Sequence, residues 1–131
     1  MKTIKPIPAQ TDAVARQIVD AAYTVHKALG PGLLENVYEV CLAYELRKRN
    51  LDVAEQVILP VVYDGIRLDA GLRLDLLVNQ CVIVELKAVE HLSPVHKAQV
   101  LTYLKLTGHR LALLINFNVP IIKDGIERIV L

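Results

Sequence analysis

The chain predicts an α/β or α+β domain, a sheet with helices on its faces, and three observations lead there. Apolar residues recur at helical spacing through the first fifty positions. They then alternate or run together in β-prone stretches from Gln56 to Ala88. One more helix and two more strands complete the order ααββββαββ. A chain of 131 residues needs only one core, so the expected organisation is an N-terminal extended segment, 1–10, followed by a single domain, 11–131.

Thr11 can cap a first helix beginning at Asp12, in which Val14, Ile18, Val19, Ala22, Val25 and Leu29 share a face until Gly30-Pro31-Gly32. A second helix from about Leu33 to Arg49 is expected to bury Leu34, Val37, Tyr38, Cys41, Leu42 and Leu46, with Asn50 at its stop. The short loop between the two makes them neighbours. Strands follow at Gln56 to Tyr63, from Ile66 onward, Leu72 to Val78 and Val82 to Ala88, with Asp64-Gly65 as a two-residue hairpin turn. Pro60 cannot donate a ladder hydrogen bond, which places its strand at an edge or beside a bulge. Ser93-Pro94 opens the third helix and Gly108 closes it. Leu111 to Phe117 and Ile126 to Leu131 are the last strands.

Composition narrows the classes. With 53% hydrophobic residues the chain is not disordered, yet no apolar run reaches the roughly 20 residues that span a bilayer. The segment Met1 to Gln10 lacks the apolar centre of a secretory signal, so a cytoplasmic protein without a membrane partner is expected. Cys41 and Cys81 lie in separate apolar stretches and read as buried free thiols. A net charge of +1 carries no global signature of nucleic-acid binding. The basic cluster Arg47-Lys48-Arg49 sits at a helix end, where the dipole alone explains it.

The chemistry concentrates between Arg73 and Lys87, where Asp75, Glu85 and Lys87 stand inside strongly apolar runs. An unpaired charge in a strand core costs several kcal/mol or more, so these three must be satisfied by one another, by solvent or by a metal. Two carboxylates converging on one point make a hard oxygen site suited to Mg²⁺ or Mn²⁺. Lys87 lies two residues after Glu85, on the same strand face, where an ammonium can orient a water or stabilise a phosphate. Gln99 and Tyr103 stack at i and i+4 on the third helix, with His96 three residues earlier. The single serine, Ser93, is a helix cap, and neither zinc-ligand spacing nor a P-loop or GxGxxG is present.

These residues resemble a known family. Asp75 followed by Glu85-Leu86-Lys87 is similar to the PD-(D/E)XK nuclease signature, and Gln99-Val100-Leu101-Thr102-Tyr103 to the QxxxY element of its RecB-like branch. The chain resembles still more closely the small bacterial GxxExxY proteins, whose motif is spelled by Gly32-Leu33-Leu34-Glu35-Asn36-Val37-Tyr38. Val25-His26, Leu29-Gly30, the run ending at Asn116 and Lys123-Asp124-Gly125 extend the likeness over about residues 12 to 131. Two positions depart from the pattern: Leu74 stands in place of the proline, and Asp69-Ala70-Gly71 precedes the motif strand. The resemblance implies a restriction-endonuclease-like fold, a mixed central β-sheet flanked by helices. It also implies a metal-dependent nuclease site: Asp75, Glu85 and the Leu86 backbone carbonyl hold Mg²⁺ or Mn²⁺, with Glu35 as a further acid, and Lys87 assists the water. Gln99 and Tyr103 complete the catalytic set. The implied partner is nucleic acid, DNA or RNA; because so small and near-neutral a chain has little surface beyond its core to grip one, a homo-oligomer could supply the rest. The alternative is a catalytically silent nuclease-fold module that binds nucleic acid or regulates.

Each of these residues also has a plain structural explanation. Asp75 and Lys87 can form an ordinary ion pair, and Glu35 in a first helical turn is favoured by the macrodipole. Tyr38 reads as core packing, Gln99 as an exposed helix position, and His26 and His96 as capping or hydrogen-bonding residues. Strand register separates the alternatives. A symmetric two-residue turn at Asn79-Gln80 would pair Asp75 with Val84 and put Asp75 and Glu85 on opposite faces. A shared site therefore requires a three-residue loop, a bulge or a distortion near Asp75.

Overall fold

A computed structural model describes residues 5–131, so the first four residues of the expected N-terminal segment lie outside the described residues. The elements are α1 (Ala9–Leu29), α2 (Glu35–Lys48), β1 (Val53–Tyr63), β2 (Ile66–Val78), β3 (Val82–Lys87), α3 (Pro94–Thr107), β4 (Leu111–Asn116) and β5 (Ile126–Val130), with a 3-10 turn at Ile122–Gly125. The five strands lie in the order β1-β2-β3-β4-β5. Only β3 and β4 run parallel. A parallel pair needs a crossover, and α3 supplies it.

Side-chain alternation in β3 and β4 divides the core into two layers. Val82, Val84 and Leu86 of β3 with Leu111, Leu113 and Ile115 of β4 pack on one face against Ile18 of α1 and Leu42 of α2. Ile83, Ala112 and Leu114 point the other way, against Val100 and Leu104 of α3. The mixed α/β sheet with helices on both faces is thus the architecture expected.

Four details differ from the sequence reading. Ile66 to Val78 is one strand, so there are five strands rather than six among the described residues. The residues 69–71 that read as an interruption are a bulge: Leu59 pairs Leu72 but Val61 pairs Leu68, leaving two extra residues on β2. Pro60 faces that irregularity on the edge strand, where its missing N–H is tolerated. The first helix begins at Ala9, after Pro8, not at Asp12. Thr11 is therefore inside the helix, buried, with its hydroxyl against the Cys81 thiol. Leu34 precedes α2 and is 74% exposed, and Val37 is also exposed, because the stripe that packs is the narrower set Tyr38, Leu42, Ala43 and Leu46. Cys41 and Cys81 are free, as expected, but only half-buried.

Turn chemistry follows the residues. Asp64 and Gly65 have φ of 50° and 77°, which matches the right-handed twist of the flanking strands. Ser93 precedes Pro94 at the start of α3, and Gly108 closes it in the left-handed conformation. At Gly125 a Cβ would stand 2.1 Å from the Asn116 carbonyl oxygen, so the approach of the last turn to β4 requires glycine.

Candidate active site

The β2–β3 connection is three residues long, Asn79-Gln80-Cys81, since Val78 pairs Val82. Asn79 and Gln80 both take positive φ, 49° and 54°. The pairing continues through Leu77–Ile83 to Leu76–Val84 and stops, leaving Asp75 opposite Glu85. There the backbone ladder is replaced by side chains. The Asp75 N–H donates to Glu85 Oε1 at 3.0 Å, and the Leu86 N–H donates to Asp75 Oδ2 at 2.9 Å. Two buried amides freed by the splayed strands are thereby satisfied by two buried carboxylates, 9% and 3% exposed.

The distortion is wider than one residue. Leu72 and Leu74 pack with α3, whereas Leu76 and Val78, of the same parity, pack with α1 and α2. The facing of β2 therefore switches at Asp75, which a regular strand of period two cannot do. In β1 the switch occurs opposite, between Val53 on the α1–α2 side and Val57 on the α3 side. The pairing passes from Glu55–Leu76 to Val57–Leu74 and omits Gln56–Asp75. Gln56 has φ of 51°, a left-handed conformation that costs a residue other than glycine about 1 kcal/mol or more.

Burial and then the Asp75 charge push the Glu85 carboxyl up to about 8, the Asp75 N–H and Lys87 pulling the other way. Lys87 has no carboxylate within ion-pair distance among the described residues. Glu35 is the first residue of α2. Although its side chain is largely exposed, burial and Asp75 raise its carboxyl, opposed by Lys87 and His96, so its carboxyl lies within electrostatic reach of Asp75 and Lys87. The Tyr103 phenol is raised by burial, Glu85 and Asp75, and lowered by Arg73 and Gln99. Thus Asp75, Glu85, Lys87, Glu35 and Tyr103 are near enough to feel one another's charge, and Gln99 stands beside Tyr103. The alternative ion pair of Asp75 with Lys87 does not form among the described residues, and Gln99 is exposed.

Several supporting contacts are visible. Tyr38 Oη donates to the Gly30 carbonyl at 2.6 Å and accepts from the Leu33 N–H at 3.1 Å, while its ring stacks on Phe117 at 4.6 Å. The tyrosine is a core residue, and it fastens the loop that delivers Glu35. His26 Nε2 donates to the Val119 carbonyl at 2.8 Å, and His96 Nδ1 accepts from the Ser93 N–H at 3.1 Å. Both histidines hold backbone. Asn116, 2% exposed, accepts from the Val89 and Asn118 amides and donates to the Val89 carbonyl, clamping the chain that leaves Lys87. Arg47 bonds Glu55 and the Val53 carbonyl, and Arg49 bonds Asp20 and Glu45. That basic cluster is spent on structure.

Two residues of the pocket went unread in the sequence. Glu39, one helical turn after Glu35, has its carboxyl raised by burial and by Asp75. Gln56 Nε2 donates to Glu39 Oε1 at 2.5 Å and reaches Asp75 Oδ1 at 3.5 Å. The i, i+4 spacing of Glu35 and Glu39 was the available signal for the first.

The family model of the PD-(D/E)XK nuclease superfamily matches residues 12–129, and the chain belongs to that superfamily. Its α/β fold is accordingly restriction-endonuclease-like. Members typically use a divalent metal and act on nucleic acid. No curated protein and no solved structure matches the chain. Among the described residues, no three Asp, Glu, His or Cys side chains converge closely enough to hold an ion by themselves. The donor set that is present, two desolvated carboxylates side by side, fits a hard cation that keeps several waters. No helix among the described residues is long and apolar enough to cross a membrane.

Proposed function

We propose that the chain is a Mg²⁺- or Mn²⁺-dependent nuclease of the GxxExxY type, hydrolysing phosphodiester bonds in nucleic acid. The observation that carries this reading is the buried Asp75–Glu85 pair, held on one face where β2 and β3 splay. The two amides they satisfy leave two adjacent desolvated carboxylates, one with its proton affinity raised to about pH 8, at a burial cost that a cation would relieve. Asp75, Glu85 and the Leu86 carbonyl are the proposed ligands, with Glu35 acting from the helix through water. The ion, when bound, supplies Lewis-acid charge at the phosphate and an acidified water.

The remaining roles belong to the chain. The Lys87 ammonium, free of any carboxylate partner among the described residues, orients the attacking water and balances charge on the phosphate. Tyr103 and Gln99 position a phosphate oxygen, and Arg73, whose charge acts on the Tyr103 phenol, extends that contact along the backbone of the substrate. A second reading, a silent nucleic-acid-binding or regulatory module with the same pocket, draws on the net charge of +1 and the structural use of Arg47 and Arg49.

Incubation of the protein with single- and double-stranded DNA and RNA in Mg²⁺ or Mn²⁺ tests the proposal. Cleavage by the wild type, lost in Glu85→Ala and Lys87→Ala, is the expected result. Cleavage that survives both substitutions refutes the assignment. Absence of cleavage with metal binding that depends on Glu85 selects the silent module.

A further inference from the structure

We infer that Gln56 is a positioning residue that locks Asp75 and Glu39 into one array through its side-chain amide. The inference rests on the metal-dependent reading of Asp75 and Glu85. An ordinary residue of β1 at this position would pair with Asp75 in the ladder, but the ladder omits that pair and the left-handed backbone of Gln56 takes its place. The side-chain N–H groups then meet two carboxylates, Glu39 Oε1 and Asp75 Oδ1. Asp75 is held at Oδ2 by the Leu86 N–H at 2.9 Å and approached at Oδ1 by the Gln56 amide at 3.5 Å. The acids fix the amide in turn: flipping it would turn its acceptor toward two carboxylate oxygens.

The other end of the amide is unspent. Gln56 Oε1 is buried and has no hydrogen-bond partner among the described residues. A buried acceptor left alone is unfavourable, and a left-handed glutamine adds strain, so a residue retained only for stability would not combine the two. Water on a hydrated divalent ion is a strong donor of the kind this oxygen lacks. Gln56 thus acts through Asp75 and the ion's hydration shell rather than as a ligand, and such outer contacts commonly govern affinity by 10–100-fold.

The test separates positioning from folding. Gln56→Gly removes the amide and relieves the backbone, whereas Gln56→Asn tolerates the backbone but is one methylene too short to reach both acids. Mn²⁺ binding by calorimetry and thermal melting in chelator are measured for both, alongside Glu85→Ala. The expected result is a Mn²⁺ dissociation constant raised about tenfold or more in each Gln56 variant, with the metal-free melting temperature of Gln56→Gly equal to or above wild type. Wild-type Mn²⁺ affinity in both Gln56 variants, with binding lost in Glu85→Ala, overturns this inference alone. Wild-type affinity in Glu85→Ala overturns the metal-dependent reading beneath it.

Discussion

Replacing Glu85 by glutamine should flatten the pH dependence of stability. Burial and the Asp75 charge hold this carboxyl's proton up to about pH 8, against an ordinary value of 4.5. The folded state therefore binds the proton more tightly than the unfolded chain, so stability is favoured at low pH and declines as the pH rises through this window. Once the pH exceeds both values, the difference amounts to at most about 5 kcal/mol. Most of that loss, about 3–4 kcal/mol, should fall between about pH 5 and pH 8. Glu85→Gln keeps the shape and one acceptor but has no proton to lose. Urea unfolding in chelator across that range reads the result directly, as a gap between the two proteins that moves in favour of the variant with rising pH. Parallel profiles for the two proteins would refute the reasoning. The same proton competes with a cation, so the wild-type affinity for Mn²⁺ should rise by up to about tenfold per pH unit below 8.

Tyr38→Phe leaves the stack on Phe117 but frees the Gly30 carbonyl and the Leu33 N–H, and should cost about 1–2 kcal/mol in urea unfolding. Asn116→Ala orphans the backbone at Val89 and Asn118, with an expected loss of about 2–3 kcal/mol and lower turnover through Lys87. Arg49→Ala should lower stability by about 1 kcal/mol while leaving the salt dependence of nucleic-acid binding unchanged, because its guanidinium is committed to Asp20 and Glu45.

The strong local signals in the sequence carried most of the fold. Ser93-Pro94, Gly108 and Asp64-Gly65 each impose a backbone conformation, and each stands where such a conformation occurs. The requirement that Asp75 and Glu85 share a face also predicted an irregular connection, and three loop residues provide it. Tertiary effects were less legible. Asp69-Ala70-Gly71 reads as a break between strands because its composition is that of a turn, yet pairing with β1 carries the strand through as a bulge. Leu34 looks like core by periodicity but falls before the helix begins. Gln56 gives no sign at all: left-handed residues are anticipated from glycine or asparagine, and the acids that this side chain meets come from other segments.

The two central carboxylates are ten residues apart in the chain, brought together by a single hairpin, whereas Glu35, Gln56 and Tyr103 arrive from distant segments. Closing so short a loop is fast and needs little of the remaining fold. The acid pair can therefore form while still wet, and its carboxyls are desolvated, with the proton of Glu85 held up to about pH 8, only once the rest of the fold covers the hairpin. On the metal-dependent reading proposed above, a divalent ion present during folding would reward that last docking step, so the closing of the helices over the hairpin is where added metal should change the refolding rate.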